Sequence, residues 1–381
     1  MKRILLILGI VAISATITFA QNGGYLLINN DNPNANTVDI DAVSPSGALQ
    51  HLATVPTGGT GTGGGFFDGP RQAVAQNLKC FWVADTGSND IAAFEVPSLK
   101  KVQNFSNAAL NGTYLGIGIA DSKDYLITAW SGSANIAVLK IASDCSLTLV
   151  GSPISQPDNV LDIAVTPNGK VAVVSYVNLS GAQAYSVGAT GTLSPIGPML
   201  NFNSSISGCS LEGCYPTSED VTSDGQFWVW GNATLVAPST LTAVLGPNGF
   251  KNAALQTYPN SGLTNIQAPW FSPAGRAGNG NLYLGAFGFG TAYPAGIIVT
   301  TFNAGTITYA GSTLNSAASY AGNVQTIGKS GTGSPITEIW SDSLGNNTVQ
   351  SYTVSGTTLT PAASLQTSSP FLAISTTGVG K

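Results

Sequence analysis

Side chains that could do acid–base, nucleophilic or metal chemistry are scarce in this sequence. Its 381 residues include 13 Lys and Arg, 18 Asp and Glu, and a single histidine, His51. The sequence contains no Gly-x-Ser-x-Gly nucleophile turn, no phosphate-binding loop and no pair of histidines at a metal-binding spacing. The glycine-rich stretch 58–65 lacks the Lys-Ser/Thr pair and the helix of a phosphate loop, so it predicts a flexible connection.

Two short segments, Asp31–Asn34 and Asp85–Asp90, cluster side-chain oxygens that could bind calcium or form turns. Neither has the EF-hand spacing, which favours the turn interpretation. Four scattered cysteines and one histidine do not form a zinc spacing, and in an exported chain they predict two disulfides, Cys209–Cys214 and Cys80–Cys145. We expect no metal and no cofactor.

The N-terminal 20 residues have the pattern of a removable signal peptide. Lys2 and Arg3 precede an apolar stretch that ends at the small residue Ala20, so the mature chain is expected to begin at Gln21. This predicts a secreted or periplasmic protein without membrane insertion. Without Lys2 and Arg3, 11 basic and 18 acidic residues leave a formal charge of −7, and no basic cluster indicates a nucleic-acid partner.

The stretch from Leu161 to Val187 predicts three short strands, the first two joined by the tight turn Pro167-Asn168-Gly169. The same unit recurs along the chain with a fourth strand, which is typical of propeller blades. We therefore predict an all-β fold, a seven-bladed β-propeller over residues 21–381 as one domain. The last strand, Phe371–Gly378, resembles the first strand of a blade and is expected to complete the N-terminal blade and close the ring.

Repeated positions in these units predict structural roles. Aromatic residues on the strands are expected to pack between blades, and three asparagines at one repeated position are expected to form turns. The aromatic positions are Trp82, Trp130, Trp228, Trp340, Phe94, Tyr185 and Tyr352, and the asparagines are Asn36, Asn89 and Asn347.

The segment Gly69-Pro-Arg-Gln72, followed by CFWVADTGSNDIAAFEV, resembles the repeat of seven-bladed lactonase-type propellers, which include 6-phosphogluconolactonase-like and YVTN-repeat proteins. Asp162–Tyr176 is similar to their pattern of strand, Pro-(Asp/Asn)-Gly and strand. The resemblance implies a central pocket on one face, lined by the start of each innermost strand and the connection before it. The positions that it implies here are Arg71, Gln72, Asn111, Tyr114, Asp158, Asp162, Glu219, Asp220, Trp270, Asn323 and Gln325.

The resemblance also implies roles for these residues. Opening a lactone needs a base for water and a cation or donor for the oxyanion. Glu219 or Asp162 is the candidate base and Arg71 the candidate anion partner. The residues left to contact the ligand are Gln72, Asp158, Asp220, Trp270 and Gln325.

Three departures from the family weigh against hydrolysis. Gln72 stands where the family often has histidine, and His51 falls on an outer strand as a surface residue. Arg71 is the only cation among the pocket positions, whereas a phosphorylated lactone would need more than one. We therefore favour a secreted, monomeric binding or scaffold propeller with a small-molecule, protein or cell-surface partner. The alternative is a lactonase-like hydrolase acting on an uncharged or carboxylated cyclic ester.

Overall fold

The fold was analysed in a computed structural model of the chain. The described residues are 24–63, 73–76, 79–96, 98–111, 117–176, 178–209, 213–233, 237–272, 279–287, 294–315, 320–326, 336–341, 347–366 and 375–379. The predicted signal peptide lies outside them.

The described strands form seven antiparallel sheets, numbered here from the N-terminus. Sheet I contains β1 (Gly24–Asn29), β2 (Thr37–Val43), β3 (Leu49–Pro56) and β30 (Ser375–Val379). Sheet II contains β4 (Ala73–Gln76), β5 (Cys80–Asp85), β6 (Asp90–Glu95) and β7 (Lys100–Phe105). Sheet III contains β8 (Ile117–Ser122), β9 (Tyr125–Trp130), β10 (Asn135–Ile141), β11 (Leu147–Leu149) and β12 (Ile154–Ser155).

The remaining strands follow the same plan. Sheet IV contains β13 (Val160–Val165), β14 (Val171–Tyr176), β15 (Gly181–Val187), β16 (Leu193–Pro195) and β17 (Leu200–Asn201). Sheet V contains β18 (Pro216–Val221), β19 (Phe227–Asn232), β20 (Ser239–Gly246) and β21 (Gly249–Thr257). Sheet VI contains β22 (Asn265–Phe271), β23 (Asn279–Phe287), β24 (Ala295–Asn303) and β25 (Thr306–Asn315). Sheet VII contains β26 (Tyr320–Thr326), β27 (Ile336–Ser341), β28 (Asn347–Ser355) and β29 (Thr358–Gln366).

Helical structure is confined to short segments in the described part of the chain. These are α1 (Phe202–Ser205) and the 3-10 turns Ser131–Ser133 and Ser207–Cys209. Among the described residues, no helix has the length and apolar character needed to cross a membrane.

The hairpin of β13 and β14 illustrates how the sequence directs each sheet. Residues rich in Val, Ala and Ile alternate between the two faces of these strands. The turn between them ends at Gly169, whose φ of +73° favours glycine and whose N–H donates to the carbonyl of Thr166 at 2.7 Å. The predicted turn is therefore present.

One strand of each sheet contacts its counterpart in the next sheet: the first strand in sheets II to VII, and β30 in sheet I. We call these seven the inner strands. Along the series β4, β8, β13, β18, β22 and β26, each strand contacts the next, and β30 contacts both β26 and β4. β30 itself pairs antiparallel with β1, with Leu27 opposite Thr377. Within the predicted Phe371–Gly378 segment, residues 371–374 lie outside the described residues. The predicted all-β propeller class is confirmed.

Large side chains fill the spaces between sheets, as predicted. Phe81 and Phe94 of sheet II stack at 4.6 Å between ring centroids and pack against Leu27 and Ile40 of sheet I. Burying one such side chain stabilises the fold by roughly 1.5–3 kcal/mol. Further buried members of this set are Trp82, Trp130, Trp228, Tyr185 and Tyr352. The side chain of Trp340 lies outside the described residues.

Both predicted disulfides are present. Cys80 on β5 bonds Cys145 in the turn after β10, with a Cα–Cα distance of 5.5 Å, and so joins sheets II and III. Cys209 bonds Cys214 across 5.1 Å and fixes the segment that leads into β18.

The asparagines that were expected to form turns differ from one another in the structure. The predicted turn geometry holds for Asn89, whose φ is +56°. Asn36 instead directs its side chain into a buried polar network, where it donates to Asp85.

Candidate functional site

Four of the predicted pocket residues lie on the first strands of sheets IV, V and VI. Asp162 is on β13, Glu219 and Asp220 are on β18, and Trp270 is on β22. The ladder register shifts between Val160 and Ile163, so Asp162 lies within an irregular part of its strand. The three acidic side chains are buried, whereas Trp270 is half-buried.

Glu219 joins two sheets through its carboxylate. The side chain is fully buried, and its Oε2 accepts a hydrogen bond from Nε1 of Trp230 at 2.6 Å. The same oxygen accepts from Oγ of Ser175, which lies on β14 in sheet IV. Buried carboxylates are stable when donors satisfy them, and these two donors hold Glu219 between sheets IV and V.

Asp162 and Asp220 make the same kind of contact at successive boundaries. Oδ2 of Asp162 accepts from the backbone N–H of Glu219 at 3.1 Å, across sheets IV and V. Oδ2 of Asp220 accepts from the backbone N–H of Phe271 at 2.7 Å, across sheets V and VI. Because neighbouring sheets cannot share ladder hydrogen bonds, a side-chain acceptor is needed for inner-strand N–H groups that point between sheets. Two predicted pocket residues, Asp162 and Glu219, are thus in contact.

Asp158 has a local structural role. Its carboxylate accepts from the backbone N–H of Asn178 at 2.6 Å and of Leu179 at 2.8 Å, and from Nδ2 of Asn178 at 2.8 Å. Burial alone would raise the pKa of Asp158, but these hydrogen bonds outweigh it and hold the pKa below its usual value. Asp158 therefore caps the turn between β14 and β15.

Several predicted site residues cannot be placed. Arg71, Gln72 and Tyr114 lie outside the described residues, as do the side chains of Asn323 and Gln325 on β26. Asn111 is exposed at the end of a turn after β7. The predicted meeting of Arg71 with Asp162 and Glu219 therefore remains a prediction.

The inner strands carry acidic residues but no basic ones. The sequences of β4, β8, β13, β18, β22, β26 and β30 contain no Lys or Arg. The acidic residues in these strands are Asp121, Asp162, Glu219 and Asp220. An anionic ligand approaching these strands would find no Lys or Arg on them to offset the acidic residues.

A second polar cluster joins sheets I and II. Oδ1 of Asp85 accepts from Nδ2 of Asn36 at 2.7 Å and from Oγ1 of Thr57 at 2.6 Å. Asn36 also donates to Oδ1 of Asn29, which in turn donates through its Nδ2 to the carbonyl of Ala84. Local sequence patterns assigned Asn36 and Asp85 to separate turns, whereas the structure brings the two side chains together.

The glycine-rich stretch is part of this cluster. Gly61 donates its N–H to the carbonyl of Asn32 at 2.8 Å, and Gly87 donates to the carbonyl of Thr60 at 2.8 Å. A Cβ on Gly61 would lie 2.1 Å from the backbone carbon of Asp31, so only glycine fits there. In contrast to the predicted flexible connection, the described residues 58–63 are held by backbone hydrogen bonds to two sheets.

The pKa of the Asp85 carboxyl in this cluster is strongly raised. Burial raises its pKa to about 8, against the opposing effect of hydrogen bonds from Thr57 and Asn36, and nearby Asp90 raises it further. Asp85 and Asp90 are directly opposite on β5 and β6.

Of the described residues, no group of three or more His, Cys, Asp or Glu side chains could hold a metal ion. The turn interpretation of these segments fits this geometry.

Comparison with known proteins places the fold. No family model matches the chain, and no curated protein sequence matches it. A solved protein from Lactobacillus plantarum is similar in structure, with a TM-score of 0.68 and 14% identity over 94% of this chain and 99% of that one. At this identity the likeness shows a shared fold, which in this chain is an all-β propeller.

Two further solved structures that are similar to this chain are named as lactonases. A putative 6-phosphogluconolactonase from Bacteroides fragilis has a TM-score of 0.64 and 12% identity, covering 94% of this chain and 98% of its own. The periplasmic gluconolactonase of Pseudomonas aeruginosa has a TM-score of 0.57 and 16% identity, covering 76% of this chain and 82% of its own. At these identities the likeness concerns the fold.

Proposed function

We propose that this protein is an exported β-propeller that acts as a binding or interaction module. The observation that carries the proposal is the hydrogen bonding of the Glu219 carboxylate. Its buried Oε2 accepts hydrogen bonds from Ser175 and Trp230. A general base must reach both a water molecule and the substrate. Internal donors instead commit this oxygen to joining two sheets, which favours a structural role for the carboxylate.

The charge of the inner strands supports an uncharged partner. With acidic residues and no Lys or Arg on these strands, a phosphorylated sugar lactone would be repelled near the axis. Arg71 would supply one cation, which is fewer than a phosphate and a developing oxyanion together require. A neutral small molecule or an uncharged protein segment fits this environment better.

Exposed apolar side chains support one face as the contact surface. Tyr215 is 54% exposed immediately before β18, and Leu314 is 52% exposed near the end of β25. Because β25 is antiparallel to β24 and ends where β22 begins, both side chains lie at the same end of adjacent sheets. Contiguous exposed apolar surface marks interaction sites, so these two side chains make this end of the sheets the one to test.

Export of the protein is supported by its cysteines and its N-terminus. Two disulfides suit an oxidising compartment, and residues 1–20 have a signal-peptide pattern. Expression with secretion followed by intact-mass measurement should yield a chain starting at Gln21 that carries two disulfides. A mass that retains residues 1–20 would contradict export by this signal. Size-exclusion chromatography of the same sample should give a monomer.

We further propose that the seven sheets are the seven blades of one closed ring. The supporting contacts are the pairing of β30 with β1 and the contacts of β30 with β4 and β26. In this arrangement, sheet I would close the ring with strands from both ends of the chain, leaving no inner edge exposed.

A hydrolysis assay tests the main proposal. Wild type and Glu219→Gln are compared on a panel of aliphatic lactones, gluconolactone and 6-phosphogluconolactone, with the exposed Asp124→Asn as the matched control. We expect all three proteins to show only the uncatalysed rate. Hydrolysis by wild type and Asp124→Asn that is lost in folded Glu219→Gln would overturn the proposal.

The second candidate is a lactonase-like hydrolase. The hydrogen bond from the backbone N–H of Glu219 to Asp162 favours it, because it brings two acidic residues of neighbouring sheets into contact. The likeness to named lactonase structures adds to it at the level of fold. Its substrate would be an uncharged or carboxylated cyclic ester, and in the same assay that class would be hydrolysed whereas 6-phosphogluconolactone would not.

A further inference from the structure

The edge of sheet VI that lies farthest from its inner strand is open and carries exposed apolar side chains. Among the described strands, β25 pairs with β24 alone. Between described residues, no backbone hydrogen bond outside that ladder involves residues 306–315. In the described part of the chain, three large hydrophobic side chains are exposed, and two of them, Tyr309 and Leu314, lie on β25. The backbone groups on this edge can therefore accept an added strand.

The outermost strands of the other sheets carry features that natural proteins use against edge pairing, which are short length, lysine and proline. In sheets III and IV the outer position is divided between two strands of two or three residues each, β11 with β12 and β16 with β17. The others contain Pro56 in β3, Lys100 and Lys101 in β7, Lys251 in β21 and Pro361 in β29. In contrast, β25 is 10 residues long and contains neither lysine nor proline.

The register of β24 and β25 puts the two exposed apolar side chains on one face. Tyr309, Ser312 and Leu314 are opposite residues 300, 298 and 296 of β24, which alternate onto the same face. The register shifts between Val299 and Thr300 and leaves Ala310 unpaired. Because of this bulge, Tyr309 and Leu314 share a face although an odd number of positions separates them.

A loop holds this face of β25 in place. Oγ of Ser312 donates to the carbonyl of Ser261 at 2.6 Å, in the connection from β21 to β22. Leu314 lies over the next residue of that connection, since a Cβ on Gly262 would be 3.7 Å from its Cδ2. Leu263 anchors the connection in the core of sheet VI. The edge is therefore fixed before a partner arrives, which lowers the entropy cost of pairing.

Sheet VI contains no charged residue in any of its four strands. An added strand places its side chains directly beside those of the edge strand. A charged side chain of that strand would find no opposite charge on this sheet, whereas uncharged side chains would pack on Thr308, Thr313 and Leu314. The edge therefore fits an uncharged segment.

We propose that β25 is a docking edge, to which an extended and uncharged segment of a partner protein adds as a fifth strand of sheet VI. The inference rests on the proposed binding role and names the class of partner. Backbone hydrogen bonds along Thr306–Asn315 hold the segment, and every second side chain of it contacts Tyr309 and Leu314. Leu314 also belongs to the contact surface proposed above.

The bulge argues for a separate segment as the occupant, in preference to a second copy of this chain. Two copies of β25 would each present the bulge at Ala310 in a strand already fixed by its own sheet. Only the short stretches 306–309 and 311–315 would then be regular enough to pair. A segment that is extended but not yet folded can follow the bulge along the whole edge.

Binding is tested with a synthetic peptide of alternating threonine and valine, blocked at both ends, by isothermal titration calorimetry. The control peptide has the same sequence with every second backbone nitrogen methylated, which removes the donors of one edge and keeps the side chains. We expect saturable binding of the first peptide and none of the second. In hydrogen exchange, the first peptide should slow exchange in residues 306–315 and leave residues 358–366 of sheet VII unchanged.

The variant that tests the edge is Thr308→Lys, and the matched control is Thr360→Lys on β29, where threonine is also exposed. A lysine on β25 introduces the feature that blocks natural edges, so binding should weaken on the order of tenfold. Thr360→Lys should bind the peptide as wild type does. If Thr308→Lys does not fold, Ala310→Lys takes its place, because Ala310 is exposed and unpaired in the bulge.

Three results would overturn the docking edge. The first is equal binding of the two peptides, or binding without slower exchange in residues 306–315. The second is unchanged affinity in folded Thr308→Lys or Ala310→Lys. The third is a dimer in light scattering whose residues 306–315 are protected without peptide, which would assign the edge to a second copy. Absence of peptide binding together with absence of lactone hydrolysis would remove the docking edge and leave the binding role as proposed.

Discussion

The backbone N–H of Glu219 donates a hydrogen bond to Oδ2 of Asp162, so the candidate base of one sheet is anchored by the candidate base of the next. An equivalent bond runs from Phe271 to Asp220 at the following boundary. Asp162, Glu219 and Asp220 are thus structural acceptors first, and any chemistry that used them would draw on groups that already hold the sheets together.

Removing the acceptor at position 162 should destabilise the protein. Asp162→Ala leaves the buried N–H of Glu219 without this acceptor, which costs about 1–3 kcal/mol, whereas Asp162→Asn retains an oxygen and should lose less. Urea unfolding measures the difference, and the exposed Asp124→Ala should stay within about 0.5 kcal/mol of wild type. Equal stability of Asp162→Ala and wild type would show that the bond contributes nothing.

Asp85 should make the protein less stable as the pH rises. Burial raises its pKa to about 8, so between roughly pH 4 and 8 the native state keeps a proton that the unfolded chain releases. The group therefore lowers the free energy of unfolding progressively over that range. Asp85→Asn mimics the protonated form and should be close to wild type at pH 5 but more stable at pH 8.

The measurement for Asp85 is the free energy of unfolding against pH. The Asn variant should give a flatter curve than wild type between pH 6 and 8, because the titration of Asp41 is common to both proteins. Parallel curves for the two proteins would contradict the raised pKa.

The two disulfides should contribute unequally. In the chain-entropy model, a bridge with a sequence separation of 65 stabilises by about 4 kcal/mol and one with a separation of 5 by about 2 kcal/mol. Replacing Cys80 and Cys145 by serine should therefore lower the urea midpoint more than replacing Cys209 and Cys214. The reverse order would indicate that unfolded-state entropy is not the main effect of these bridges.

Deletion of residues 369–381 should prevent stable folding. It removes β30, which pairs with β1 and contacts β4 and β26. Circular dichroism and size-exclusion chromatography should show loss of cooperative unfolding and aggregation. Deleting Gly380 and Lys381 alone spares β30 and should leave the melting temperature unchanged, and equal melting of both truncated proteins would contradict the role of β30.

Local patterns predicted strands and turns well because alternation and turn chemistry are properties of neighbouring residues. The unit around Leu161–Val187 and the burial of Trp82 and Trp130 follow from that chemistry. The disulfides followed from counting, since the short Cys209–Cys214 loop left one other pair.

Contacts between sheets were harder to predict, because they depend on residues distant in sequence. Asn36 was interpreted as a turn residue, yet its amide bonds Asp85, 49 positions away. Glu219 was interpreted as a catalytic base because no local signal marks Ser175, 44 positions earlier, as its donor. His51 was expected on the surface, which its exposure fits, but the buried partner Asp41 becomes apparent only from the register of β2 and β3.

The pairing of β30 with β1 also sets the order in which this protein can mature. During synthesis, β1 emerges first but has no partner on that side until residues 375–379 follow, some 350 positions later. Contacts so distant in sequence form slowly, since a long loop must close before they contribute. The unpaired edge of β1 in the waiting chain is a site for pairing with another molecule. Productive folding should therefore be post-translational, and dilution or a chaperone that covers β1 should raise the yield of native protein.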